Sequence, residues 1–474
     1  MEAQDYYQAL LSHDARFDGR FFVGVTSTGV YCRPICRVKA PSLKNCQFYS
    51  SAALAEAQGF RPCLRCRPEQ APGLSQMDAT HTLAHQAAQL IKQAQVQDTV
   101  DLAQRMGVSE RHLRRLFQTE FGVPPSHYLR TQRLLMAKTL LTDTQLPVNK
   151  IALYVGFGST TQFYQHFKTH YHLTPTHWRR KTPTQAGAMS FKLSYRPPLD
   201  WAHLLSYFKT RCIKGVEVVR EQSYVRTVAL LDAHGTLHQG WISISPDPKQ
   251  AALQLTVSDS LEAVIPQVLA RVRSLCDLDC DPETIHQALG ELANPATGLR
   301  VPGAWDGFEI AVRAVMGQVV TVKAALTLVG RIAELAYCKL ETPYPELYQR
   351  FPLAQDFLKI SDASFAAYNI QPRKVAMLRE IATLITQGEL VLDTSADYAK
   401  TYQQLLAVKG IGPWTASYIV MRSLRWPDAF LADDYWIKKL LKVTSAKQAE
   451  TLAQAWKPWR SYAVMYLWRN GSCT

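Results

Sequence analysis

The stretch LLAVKGIGPWTASYIVMRS, residues 405–423, decides how the C-terminal half of this 474-residue chain is read. It predicts the end of one helix, a hairpin at Gly410, Ile411 and Gly412, and a second helix entered through Pro413. Glycine tolerates the positive φ of a tight hairpin, and proline in a first helical turn forgoes no hydrogen bond. Amides at such a hairpin, beside a helix N-terminus, form a phosphate site blind to base sequence. The hairpin is also a candidate site for a monovalent cation. Twenty residues beyond Trp414, FLADDYWIKKLL at 430–441 sets Asp433 and Asp434 immediately before an amphipathic helix. An isolated acid at that position is usually an N-cap.

Moving toward the N-terminus, residues 101–177 repeat themselves. Leu102-Ala103, Gly107, Leu113, Phe117, Phe121, Pro125 and His127 recur as Ile151-Ala152, Gly156, Phe163, Phe167, Tyr171, Pro175 and His177. The offset of 49 before the turn and 50 after it gives the second copy one extra turn residue. Each copy predicts helix, glycine-containing turn, helix. In the first, Ser109 caps a recognition helix that buries Leu113, Leu116 and Phe117 and turns Glu110, Arg111, Arg114 and Arg115 outward. Arginines so placed can reach phosphates or guanine edges in a major groove. The corresponding outward set in the second copy is Thr160, Thr161, Gln162, Gln165 and His166, polar and nearly neutral, so the first helix should supply more of the affinity.

The first 75 residues open with FFVGVTSTGVYC, a strand, turn, strand pattern broken at Thr28-Gly29. Cys32 and Cys36 form a C-x3-C pair and Cys63 and Cys66 a C-x2-C pair, with 26 residues between the pairs. Two short-spaced pairs supply the four soft ligands of tetrahedral Zn2+. Cys46, between them, reads as a packing residue.

Length sets a prior of about three domains. The composition, 47% hydrophobic and 19% charged, is globular, and no run of eighteen apolar residues predicts a membrane span. The start has no basic-then-apolar signal pattern, so the expected location is the cytoplasm, where ten cysteines are poor disulfide candidates. The net charge of +14 divides as +3 over residues 1–75, +7 over 76–182 and +4 over the rest, which favours a polyanionic partner for the middle segment. Stretches 67–77 and 181–190, rich in Pro, Gly, Ser and Gln, read as linkers.

These motifs resemble known families. FFVGVTSTGVYCRPICRVKAP with GFRPCLRCRPE is similar to the N-terminal domain of the Ada adaptive-response proteins over about the first 70 residues. The resemblance implies that zinc-bound Cys32 removes a methyl group from a DNA methylphosphotriester. The tandem repeat, with Gly156-Phe157-Gly158 and PTHWRR at 175–180, resembles the AraC-type double helix-turn-helix, which implies promoter binding and activation through RNA polymerase. It departs from that family at Leu153-Tyr154, where small residues are more usual.

From 191 to 472 the chain resembles AlkA-type 3-methyladenine DNA glycosylase II, in SYRPPLDW, GFEIAVRAVMGQVV, the hairpin, LADDYWIKK and WKPWRSYAVMYLW. Mapped by that resemblance, Asp434 is the catalytic carboxylate and Asp433 the cap. Trp414, Tyr418 and Trp468 line the pocket for an everted base, and Val319 beside Gln318 is the wedge that replaces it in the duplex. Val319 is smaller than the leucine usual there. Trp426, Trp436, Trp456 and Trp459 are assigned to cores. Trp at 414 stands where strand-cleaving relatives carry a lysine, which implies a monofunctional enzyme. No Pro-Cys-His-Arg motif occurs, so the second Ada methyltransferase is not encoded here.

The expected fold is multidomain and mainly α with α+β parts. A four-cysteine zinc α+β domain (1–75) is followed by an all-α tandem helix-turn-helix (78–182) and a linker (183–190). An α+β subdomain (191–300) and an all-α helix-hairpin-helix glycosylase domain (301–474) complete it. The expected partner is double-stranded DNA, damaged and promoter, bound by a monomer with no membrane association. The competing reading is a DNA-binding regulator with purely structural zinc and a non-catalytic C-terminal part.

Overall fold

Strand Phe22–Val25 pairs antiparallel with Val30–Cys32 through a turn closed by Gly29 at φ +64°, which delivers the strand, turn, strand read from the sequence. In this computed structural model, which describes residues 3–73, 83–179, 188–232, 234–294 and 297–471, the N-terminal part is a four-stranded sheet. Cys46–Tyr49 covers one edge and Arg61–Pro62 the other. The last pairing is parallel, with Tyr31 opposite Pro62, so the residues that follow, Cys32 and Cys63, emerge side by side. Register, not proximity in sequence, therefore brings the two cysteine pairs together.

Both helix-turn-helix copies form. Thr99–Arg105 leads into Glu110–Phe121, and Val148–Tyr154 into Thr160–Tyr171. Ser109 caps the first recognition helix by accepting from the His112 amide, and Ser159 caps the second by accepting from Gln162. The equivalent apolar positions Leu113 and Phe117, and Phe163 and Phe167, are fully buried. A nineteen-residue helix, Pro125–Asp143, joins the copies and also packs against the helix Ala52–Ala57 of the four-cysteine part.

The reading of 67–77 as a linker fails for its first seven residues; 74–77 lie outside the described ones. The Glu69 side chain is buried between Arg67 and Lys138, and Arg67 forks onto Asp143 at 2.7 and 2.8 Å. Polar composition disguised a buried ion-pair network as a flexible joint. In the second expected linker, 180–187 lie outside the described residues, and Ala188 already starts a strand.

That strand, Ala188–Ser194, is one edge of a five-stranded antiparallel sheet. It pairs with Ala252–Ser258, followed in order by Leu237–Pro246, Ser223–Leu231 and Glu217–Arg220. Beyond it the chain is helical to Gly471. One apolar cluster runs from Leu134 through the second helix-turn-helix copy and the sheet to Leu467, whereas the first copy and the four-cysteine part have small clusters of their own.

Candidate functional site

Two sites stand out, one built on cysteines and one on aromatics. The four sulfurs of Cys32, Cys36, Cys63 and Cys66 lie within 4.8 Å of one another. Cys36 is turned back by a tight loop, its amide donating to the Arg33 carbonyl at 3.1 Å, and Cys63 is anchored by its amide to the Tyr31 carbonyl. Hydrogen bonding with Cys36, Cys63 and Cys66 pushes the Cys32 thiol up, and hydrogen bonding with Cys32 holds Cys63 down. Sulfurs this close cannot all ionise unless a cation neutralises them, and four thiolate donors suit Zn2+.

The sulfurs are not equivalent. Cys66 accepts from the Arg33 amide at 3.4 Å, Cys63 from the Arg65 amide at 3.3 Å, and Cys36 from the Val38 amide. Among the described residues no amide donates to Cys32. Its residue is buried, 5% exposed, as Cys36 and Cys63 also are, while Cys66 is more open. Arg33, itself buried, is held by Asp18 and donates to the Cys66 carbonyl.

The second site is carried by the helix Pro413–Ser423. Residues four apart share a helical face, so Trp414, Tyr418 and Arg422 form one row. The Trp414 and Tyr418 rings stack at 5.4 Å and 6°, and Trp468 closes on Tyr418 at 6.5 Å. Trp414 Nε1 donates to Asp434 Oδ2 at 3.1 Å, while Asp434 Oδ1 accepts from the Ile437 amide at 3.1 Å. One acid thus caps the helix Tyr435–Leu440 and faces the aromatic row. This corrects the assignment of the cap to Asp433, which instead pairs with Lys438 at the surface. Trp436 is likewise not in a core; it is 45% exposed with Lys439 over its ring. Trp459 is buried and Trp426 and Trp456 pack partly buried against the core, as expected.

Sequence reading missed the polar floor of this cage. Buried Arg422 donates to the hydroxyls of Tyr207 and, at 3.0 Å, Tyr418. Burial alone would raise the Tyr207 phenol, but the Arg422 and Arg211 guanidiniums bring it down to about 8. The i, i+4, i+8 spacing could have found Arg422; nothing local could have linked Tyr207.

Gln318 and Val319 follow the helix Gly307–Met316. Val319 is 97% exposed at φ +60°, a conformation β-branched residues rarely hold. Gln318 Nε2 ties this loop to the hairpin through the Gly410 carbonyl at 3.2 Å and Thr415 Oγ1 at 3.1 Å, and buried Lys374 donates to the Met316 and Gln318 carbonyls at 3.0 and 3.2 Å. The hairpin forms with Gly410 at φ +101°, but the Ile411 amide donates inward to Val408, so it does not point outward as expected. Arg111, Arg114, Arg115, Gln162 and Gln165 are all exposed on their recognition helices.

Comparison with known proteins matches three family models: the metal binding domain of Ada at residues 5–69, a helix-turn-helix domain at 102–181 and the AlkA N-terminal domain at 190–306. A protein of Mycobacterium tuberculosis (strain CDC 1551 / Oshkosh), "Probable bifunctional transcriptional activator/DNA repair enzyme AlkA", is 36% identical over 98% of this chain and 95% of its own length. DNA-3-methyladenine glycosylase 2 of Escherichia coli K12 is 34% identical, covering 59% of this chain and 96% of that protein. The solved 3-methyladenine DNA glycosylase of Archaeoglobus fulgidus, 18% identical, shares the fold with a TM-score of 0.50 over 60% of this chain and all of that one. Because a relative at 36% identity aligns nearly end to end, this chain belongs to the family of fused Ada-type transcriptional activators and AlkA-type DNA repair enzymes.

Proposed function

We propose that the chain both senses and repairs DNA alkylation. Its C-terminal part hydrolyses the bond between deoxyribose and an alkylated purine such as 3-methyladenine, and its N-terminal parts read methylphosphotriesters and activate transcription. The observation that carries the repair activity is the Asp434 carboxylate, hydrogen-bonded through Trp414 Nε1 to the aromatic row.

Alkylation at a ring nitrogen makes the purine cationic, and stacked indole and phenol faces attract a desolvated cation by about 1–2 kcal/mol. The base must be turned out of the duplex to reach them, and exposed Val319, held by Gln318 and Lys374, fills the gap it leaves. As the C1′–N bond breaks, the base departs with the bonding electrons and the sugar becomes cationic. Asp434 stabilises that charge and orients the water whose oxygen bonds to C1′ and whose proton is released. Trp at 414 leaves no amine for a Schiff base, so the enzyme is monofunctional. With the Ile411 amide turned inward, the Gly412 amide is left to face the DNA backbone, and the hairpin would hold a monovalent cation that helps neutralise a phosphate there.

Cys32, Cys36, Cys63 and Cys66 would hold Zn2+, which would keep the sulfurs ionised at neutral pH. Cys32, with no amide donor, retains the most electron density. Its sulfur bonds to the methyl carbon as the carbon–oxygen bond breaks and the phosphodiester leaves as an anion. The site charge falls from about −2 to −1, which lessens repulsion from DNA phosphates and tightens binding. Arg111, Arg114, Arg115, Gln162 and Gln165 contact promoter DNA, and the protein recruits RNA polymerase as a cytoplasmic monomer. Among the described residues no helix is long and apolar enough to cross a membrane.

The test is Asp434→Asn and Cys32→Ala, each incubated with methylated duplex and analysed by mass. Asp434→Asn should bind DNA and release no 3-methyladenine, and Cys32→Ala should take up no methyl group; unchanged release or uptake refutes the corresponding assignment.

A further inference from the structure

Between the two helix-turn-helix copies lies a cluster of basic side chains that neither site above uses. His127 and Arg130 stand in the first turns of the joining helix Pro125–Asp143, whose N-terminus no side chain caps. His166 and His170 stand on the second recognition helix, Thr160–Tyr171. The His127 and His170 rings meet edge to face at 6.1 Å.

Hydrogen-bond polarity inside the cluster is determined. Arg130 Nη2 approaches His127 Nδ1 at 3.2 Å, and a guanidinium can only donate, so Nδ1 accepts and a neutral His127 carries its proton on Nε2. That Nε2–H and the Arg130 Nε–H are both buried, and neither has an acceptor among the described residues. A buried donor without a partner costs about 1–3 kcal/mol. The charges point the same way. Burial, Arg130, His127, His166 and His172 together hold the His170 imidazole down to about 4. Burial and Arg130 lower both His127 and His166. Among the described residues, the main groups acting on the three are arginine and histidine side chains, with no carboxylate among them.

We infer that this cluster is a binding site for one backbone phosphate of duplex DNA, formed by Arg130, His127 and His170. The inference rests on the reading of the tandem helix-turn-helix as a duplex-binding module. Both donors are closed to solvent in the free chain, so the His127 and Arg130 side chains must turn outward for an anion to accept from them and supply the missing negative charge. The cluster extends through His166 toward the exposed Gln162 and Gln165 of the recognition helix, where a duplex strand would run. A phosphate near His170 favours its imidazolium, so DNA binding takes up a proton and strengthens as pH falls through about 5 toward 4.

The test uses the full-length zinc-loaded protein with 13C-labelled histidine, whose ring signals are assigned from His127→Gln and His170→Gln. Adding an unmodified 25-base-pair duplex should raise the His170 titration by about one pH unit or more. Arg130→Gln should abolish that rise and flatten the dependence of log affinity on log salt by about one contact's worth. Arg115→Gln, on the first recognition helix, serves as the control for duplex binding itself. If Arg115→Gln weakens binding while the His170 titration is the same with and without duplex, the phosphate site is wrong and the helix-turn-helix reading stands. If neither changes, both fail. Inorganic phosphate at 10 mM should leave His170 unmoved; an equal shift would assign the cluster to free anions and overturn the proposal.

Discussion

Trp414 does two things with one side chain: its face stacks on Tyr418 and its Nε1 orients Asp434. The two roles are separable. Trp414→Phe keeps an aromatic face and removes the donor, so base release should fall by about tenfold, the rate equivalent of one hydrogen bond of about 1.4 kcal/mol. Duplex affinity should change little; single-turnover release against duplex binding distinguishes the two. Tyr207 makes a second residue-scale prediction. Its phenol, brought to about 8 by Arg422 and Arg211, ionises in the folded protein before it would in the unfolded chain. The sign follows from linkage: the stabilisation is fully present above the ordinary value near 10 and is lost as pH falls through 8. Tyrosinate absorbance at 295 nm should therefore show a step near pH 8 that Tyr207→Phe lacks. Such residues mark where sequence reading runs out. Asp434 was within reach because hairpin and acid are close in sequence, yet which of two adjacent aspartates caps the helix turned on a one-residue shift. Tyr207 meets Arg422 across 215 positions, with only tertiary packing to join them.

At the scale of elements, the helix Pro125–Asp143 is the joint of the N-terminal half. Lys138, fully buried, donates to the Cys63 carbonyl at 3.3 Å and pairs with Glu69. Removing one member of a buried pair leaves the other charge uncompensated, so Lys138→Met should destabilise by about 3–5 kcal/mol in a chemical-denaturation measurement. The double variant with Glu69→Leu should recover much of that loss. Two turns earlier on the same helix, Thr131 donates to Glu56, as does Tyr31 from the sheet, at 3.1 Å each. Burial pushes the Glu56 carboxyl up to about 7. A raised acid contributes stability that is present below its ordinary range and lost as pH rises through 7. Glu56→Gln, which mimics the protonated form, should thus raise the melting temperature by several degrees at pH 8 and barely alter it at pH 5. The recognition helices were legible because caps, turn glycines and apolar stripes are local signals. The Arg67–Glu69–Lys138–Asp143 network was not, since its charges look like a solvated linker until the helix that buries them is in place.

Across the whole molecule, apolar packing and charge divide the chain differently from its motifs. The second helix-turn-helix copy shares a continuous core with the C-terminal half, from Leu134 to Leu467, while the four-cysteine part has small clusters, one around Phe21 and Val23 and one around Phe22, Tyr31 and Phe60 that takes in Leu135 of the joining helix. So small a core is marginal by itself, and the free energy of metal binding becomes folding energy. The polar bridges from this part to the C-terminal half, such as Arg16 to Glu283 at 3.0 Å and the Gly73 amide to Asp279 at 2.7 Å, are partly or fully solvent-exposed and cannot substitute for it. Asp434 and the aromatic cage use no cysteine, and their helices belong to the large core. Stripping zinc with a chelator at pH 7 should therefore unfold the first 70 or so residues while base excision persists. Calorimetry should show loss of one early transition with the main one displaced by only a few degrees. Methyl uptake should vanish, and 3-methyladenine release should stay within about twofold of the zinc-loaded protein. Loss of both activities together would mean that the metal centre supports the large core as well, contrary to the packing seen here.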